Sequence, residues 1–158
     1  LLVVAVVALV AAGAMALRRT GPESPAAHNV AVVDKDATAK VVEAMERGFG
    51  EILVYDYRRP HRAERAAASF LTGEASAQYA QIYEALAKAG PRQQLIYRST
   101  VSRIGVQRLT SSSAQLLVFL EQETVRTTDG ATNRAPAQIR VEAVRADDAW
   151  RVSSIELL

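Results

Sequence analysis

The sequence predicts an α+β domain of about three helices followed by about four antiparallel strands, carried behind an apolar N-terminal segment. Three observations predict it. Residues 1–17 contain no charged or polar side chain. Between residues 37 and 86 apolar side chains recur at three- and four-residue spacing, the period of an amphipathic helix. From Gln93 onward they alternate instead, the period of a half-buried strand.

Arg18 and Arg19 close the apolar run, and 1–19 is expected to form a transmembrane helix. Seventeen residues span ~26 Å at ~1.5 Å each, a little short of the ~30 Å hydrocarbon core of a bilayer. Because the first residue is Leu, the helix is expected to begin upstream. A secretory signal peptide is the rival reading, since Ala14-Met15-Ala16 fits a small-x-small cleavage pattern. Ala8, Ala12 and Ala16, with Gly13 beside them, place small side chains at four-residue spacing and are candidates for packing against another membrane helix. A linker, 20–33, follows with two prolines and a glycine in Thr20-Gly21-Pro22-Glu23-Ser24-Pro25. Residues 34–158 are then long enough for one domain with its own core.

Within that domain Asp34 is placed to cap a first helix, with Ala37, Val41, Met45, Phe49 and Ile52 on one stripe. A second helix is expected from Pro60, with Ala63, Ala67, Phe70 and Leu71 inward. Thr72-Gly73 separates it from a third, whose apolar face is Ala75, Tyr79, Ile82, Tyr83 and Leu86 and which ends near Gly90-Pro91. In the first strand Leu95, Tyr97, Ser99 and Val101 share a face, and Gly105 is expected to form a bulge. Ala114–Gln122 reads as a second strand, apolar on both faces from Leu116 to Leu120, so part of each face should be covered. After an Asp129-Gly130 turn, Ala137, Ile139, Val141 and Ala143 alternate in a third strand. Asp147-Asp148 turns the chain into a last strand with Trp150, Val152 and Ile155.

Composition removes several function classes. Cysteine is absent, so there is no disulfide, thiolate metal site or cysteine nucleophile. A net charge of +2 is too small to point to nucleic acid. His28 and His61 have no second histidine at ligand spacing, and no glycine-rich phosphate loop or nucleophile elbow is present, so neither metal nor cofactor is expected.

Phe49 with Tyr55-Asp56-Tyr57, Leu71-Thr72-Gly73-x-Ala75-x-x-x-Tyr79, Thr100-Val101 running to Gly105-Val106, Ala114-x-Leu116-Leu117-Val118-Phe119-Leu120-x-Gln122 and Trp150-x-Val152 follow one another in a familiar order. In these the chain resembles the actinobacterial Mce-associated membrane proteins (Mce, mammalian cell entry). The resemblance implies a membrane helix followed by a SnoaL-like, nuclear-transport-factor-like cone: three helices on a curved four-stranded sheet. It also implies an accessory, non-enzymatic subunit beside Mce lipid-import machinery, with Mce and permease-type subunits and membrane lipid as partners. The domain would then face outward across the plasma membrane. Arg18 and Arg19 taken alone would place it inside.

Four groups of residues carry candidate functions. Arg58, Arg59, His61, Arg62 and Arg65 form a basic cluster that either meets anionic headgroups or an acidic partner, or is a solvated face beside Glu51 and Glu64. Asp56 is either an acid or base in an apolar pocket, as in ketosteroid isomerases, or a residue that caps the following helix or bonds turn amides. Tyr55, Tyr57, Tyr79, Tyr83 and Trp150 line such a pocket or fill the core. Glu121 and Glu123 form a carboxylate pair or a ladder with Arg140 or Arg103. Two readings result: a docking subunit of a membrane lipid transporter, or a ligand-binding or isomerase-like cone. A type IV secretion-channel subunit is a further assembly reading.

Overall fold

Asp34 starts the first helix, α1 (Lys35–Ile52), by accepting a 2.8 Å hydrogen bond from the Ala37 amide, one of the donors a helix start leaves unsatisfied. The computed structural model describes residues 29–31 and 34–158. The expected membrane helix 1–19, with Ala8, Ala12, Gly13 and Ala16, lies outside the described residues. Among those described, no helix is long and apolar enough to cross a membrane. Asn29 and Val30, within the stretch expected as linker, already pair with the second strand. The Asn29 side chain bridges Gln107 O and Leu109 N at 3.0 Å each, and Val30 N donates to Leu109 O.

On α1 the predicted stripe is the core: Val41, Met45 and Phe49 are fully buried and Ile52 nearly so. Gly48 lets α1 approach α2 (His61–Phe70), because a Cβ there would lie 2.2 Å from the Phe70 ring. Phe70 meets Phe49 edge-on with centroids 5.3 Å apart. Helix α3 (Gly73–Gln93) runs two residues past the predicted Gly90-Pro91 end. Pro91 sits in its last turn, where the break in the hydrogen-bond ladder is small, and Gln94, at φ 48°, ends the helix through its amide bond to Gly90 O.

The sheet has five strands, not the four expected: β1 (Val54–Asp56), β2 (Leu95–Leu109), β3 (Ser113–Arg126), β4 (Ala131–Ala146) and β5 (Ala149–Leu157). All neighbours are antiparallel in the order β1-β2-β3-β4-β5, and the sheet curls into a half-barrel holding the helices on its concave face. The extra strand is β1, to which the sequence pattern assigns no element. Three residues are too few to show alternation, and the strand exists through pairing of Val54, Tyr55 and Asp56 with Arg98, Tyr97 and Ile96.

Bulges on β2 fall at Ser102 and Gln107, whereas Gly105 pairs in register with Leu117. Each bulge inserts one residue and so reverses the side-chain alternation. Leu95, Tyr97, Ser99 and Val101 face the helices up to the first bulge, Ile104 and Val106 between the two, and Leu109 after the second. A third irregularity beside Glu142 and Ala143 brings both Val152 and Ile155 of β5 to the inner face. On β3 Leu116, Val118 and Leu120 are buried inward. Outward, Leu117 and Phe119 are half-buried beside their register neighbours Arg103, Gln138 and Arg140.

Candidate functional site

At one end of the cone the helices and the sheet diverge around a cavity of about 380 Å³. The end of α1 supplies Phe49 and Ile52, α3 supplies Tyr79, Ile82, Tyr83 and Leu86, and Tyr55 and Tyr97 stand on β1 and β2. Leu120, Ala137, Ile139, Ile155 and Leu157 line the sheet side. Alternation places these strand residues inward, and helical spacing gathers those of α3 on one face.

Four tyrosines form much of the wall. Tyr79 and Tyr83 stack with centroids 5.8 Å apart, and Tyr55 meets Tyr83 edge-on at 6.2 Å. The Tyr79 hydroxyl donates to Ile52 O at 3.0 Å, and that of Tyr97 lies 2.7 Å from Ser99 Oγ, the buried polar residue of β2. The hydroxyls of Tyr55 and Tyr83 are buried with no hydrogen-bond partner among the described residues. Tyr55 Oη sits against the α3 backbone: a Cβ on Gly90 would lie 2.1 Å from it. Burial pushes all four phenols up, and for Tyr55 the nearby Asp56 charge adds to this, so each stays neutral at physiological pH. Gln78, Gln81 and Gln122 supply the amides of the lining. No side-chain carboxylate, imidazole, ammonium or guanidinium lines the cavity among the described residues.

Asp56 lies outside it. The Asp56 carboxylate accepts from Arg58 Nε at 2.9 Å, Arg58 Nη2 at 3.1 Å and the Arg58 amide at 2.9 Å. The Arg58 side-chain hydrogen bonds, helped by its amide and charge, hold the carboxyl below the usual aspartate range despite some desolvation. That is the opposite of the raised pKa a carboxylate gains in an apolar pocket. Tyr57 is half-buried under the Arg58 guanidinium, 5.6 Å from its ring centroid, and Trp150 packs against the main core away from the cavity. Of the sequence candidates, the structure therefore gathers Tyr55, Tyr79 and Tyr83 at the cavity and leaves Asp56, Tyr57 and Trp150 outside. Tyr97, Ala137 and Leu157, not singled out as site residues, join them. Their signal was the inward parity of their strands.

Arg58, Arg59, His61, Arg62 and Arg65 are all exposed on the β1–α2 turn and the outer side of α2. Arg58 is committed to Asp56, and His61 Nδ1 lies 3.0 Å from Glu64. Arg59, Arg62 and Arg65 make no ion pair among the described residues. On the outer sheet face Glu123 pairs with Arg134 at 2.6 Å, Arg140 pairs with Glu156, and Arg103 stands opposite Phe119. The suggested ladder of Glu121 and Glu123 with Arg140 or Arg103 is not formed. No three His, Cys, Asp or Glu side chains among the described residues converge as a metal ion needs.

No protein-family model and no curated protein matches the sequence. Solved structures do match the fold. An IcmL-like type IV secretion system protein from Legionella pneumophila aligns over 76% of this chain and 91% of its own, with a TM-score of 0.64 at 9% identity. The periplasmic domain of DotI aligns over 80% and 98%, with a TM-score of 0.61 at 10% identity. A nuclear transport factor 2-like protein from Salmonella enterica aligns over 77% and 92%, with a TM-score of 0.56 at 12% identity. The chain thus has the nuclear-transport-factor-like, SnoaL-like cone fold, a class defined by a curled antiparallel sheet closed by helices.

Proposed function

We propose that this chain is the extracytoplasmic cone of a single-pass membrane protein that docks on and steadies a multi-subunit envelope complex, specifically an Mce-type lipid importer. The observation that carries the non-catalytic part of this reading is the cavity lining: phenols held neutral, amides and hydrocarbon, with Asp56 tied to Arg58 outside it. Acid–base catalysis needs a group that changes protonation near the operating pH within reach of the reacting atom, and the side chains of the described residues in these walls offer none. The exposed guanidinium groups of Arg59, Arg62 and Arg65 supply a docking contact for an acidic partner surface. The Mce assignment rests on the sequence resemblance. Two fold neighbours, a type IV secretion system protein and a periplasmic domain, support membrane assembly and an extracytoplasmic location by analogy of fold.

The test is purification of the full protein from its native membrane in mild detergent, with identification of co-purifying subunits. Mce and permease-type subunits at defined stoichiometry support the reading. Type IV channel subunits would transfer it to that assembly, and recovery of a lone monomer would overturn docking altogether.

A further inference from the structure

We infer that the cone cavity binds the alkyl chain of a neutral single-chain amphiphile, with a hydroxyl- or ester-type head at the amide-bearing part of its lining. This goes beyond the docking reading and does not depend on it. Three observations converge. The first is size. At about 30 Å³ per water-sized group, the cavity of about 380 Å³ accommodates about a dozen methylenes. That is room for one medium-length chain.

The second is the chemistry of the interior. Its polar atoms make no demand on a ligand: the Tyr79 hydroxyl is used by Ile52 O, and that of Tyr97 by Ser99. The hydroxyls of Tyr55 and Tyr83 are buried away from solvent. What remains is aromatic and aliphatic surface, which favours an alkyl tail and gains nothing from a polar one.

The third is the strongly polar equipment of the lining among the described residues. Gln78 and Gln81 stand on α3 and Gln122 on β3, Gln81 exposed and the others half-buried. Amides both donate and accept, so they match a hydroxyl or ester. They carry no charge, and no cation lines the cavity among the described residues, so an ionised carboxylate head there meets amide donors but no counter-charge, a cost that a neutral head escapes. The site therefore separates alcohols and esters from fatty-acid anions.

The test uses the full 158-residue chain in phosphatidylcholine nanodiscs with a photoreactive diazirine derivative of 1-dodecanol, the attachment sites being mapped by peptide mass spectrometry. Labelling is expected on α3 peptides containing Tyr79 and Ile82 and on the C-terminal peptide containing Leu157. Unlabelled 1-dodecanol should compete at concentrations about tenfold or more below those needed for dodecanoate at pH 8. Two variants plug the cavity from opposite walls, Ala137→Phe on the sheet and Ile82→Phe on α3, so failure of one to fold leaves the other as the test. Each folded variant should lose the cavity labelling while labelling elsewhere in the chain persists. Labelling without enrichment at these peptides, or undiminished in a folded plug, overturns the site. Equal competition by dodecanoate overturns the choice of a neutral head.

Discussion

Replacing Gly90 by Ala should destabilise the protein, although the same change in an exposed helix interior would stabilise it by about 1 kcal/mol through helix propensity. Gly90 is buried on α3, and its new Cβ would sit 2.1 Å from Tyr55 Oη and 2.5 Å from two Tyr55 ring carbons. Ordinary carbon contacts lie at about 3.5–4.0 Å, so the ring must retreat by about 1 Å or more. It has little freedom to do so, being held edge-on against Tyr83 and anchored on β1, whose backbone pairs with β2. Overpacking of this kind costs about 1–3 kcal/mol, and the severity of the contact puts it toward the upper end. The net loss is then about 1–2 kcal/mol, or about 2–8 °C in Tm for a domain of this length. Urea unfolding followed by far-UV circular dichroism measures it, with Tyr55→Phe completing a double-mutant cycle. Tyr55→Phe alone should be near neutral, because it removes a buried hydroxyl that has no partner. Combined with Gly90→Ala it should recover at least about 0.5 kcal/mol, as expected for residues in direct contact. A more stable Gly90→Ala protein, or strict additivity with Tyr55→Phe, would refute the argument that this glycine exists for the tyrosine.

Gly48→Ala should behave alike and more severely, losing about 2 kcal/mol or more in the same unfolding assay, because its Cβ would fall 2.2–2.4 Å from three carbons of the Phe70 ring. Asp56 has a folded pKa below its unfolded value, so the stability it adds is complete above about pH 4 and disappears as pH falls through the folded pKa. With Arg58 mostly exposed, that contribution stays below about 1 kcal/mol. Asp56→Asn should accordingly flatten the decline of unfolding free energy between pH 4 and pH 2, and an unchanged slope would contradict the pairing. Arg59, Arg62 and Arg65 changed together to Gln should lower recovery of co-purifying subunits and reduce its salt sensitivity, with thermal stability within about 0.5 kcal/mol of wild type. Undiminished recovery would remove the patch from the docking surface.

Helical elements were legible because their signals are local. Asp34 and the stripe from Val41 to Ile52 define α1, and the same four side chains are its buried residues. The strands carrying Ile139, Val141 and Val152 were legible for the same reason. What escaped depends on partners distant in sequence. Strand β1 is three residues held by β2, about forty positions on, and nothing within Val54–Asp56 marks it as extended. Gly105 drew attention as a bulge because glycine tolerates one, yet the bulges lie at Ser102 and Gln107, where register against β3 requires them. They also explain why Ile104 and Val106, of the wrong parity to share a face with Val101, do share it. Pro91 looked like a terminator and is instead accommodated where only the final turn loses a bond.

The candidate site was harder to read because a single alternation decides its chemistry. Tyr55 and Asp56 are adjacent, and either could have faced the cavity had β1 paired one residue away. In the observed register Tyr55 lies opposite Tyr97 on the inner wall, and Asp56 lies opposite Ile96 on the other side of the strand. Two consequences come from that one choice. Outside, Asp56 finds Arg58, which keeps it ionised and spends it on closing the turn into α2. Inside, the phenol of Tyr55 meets Tyr83 and Gly90, leaving a wall that is aromatic and uncharged. A slipped register would have buried the carboxylate among tyrosines, where desolvation raises its pKa toward a working general base. The distance between a holding cone and a catalytic one is therefore a single residue of strand register, and pairing with Arg98, Tyr97 and Ile96 sets it on the holding side.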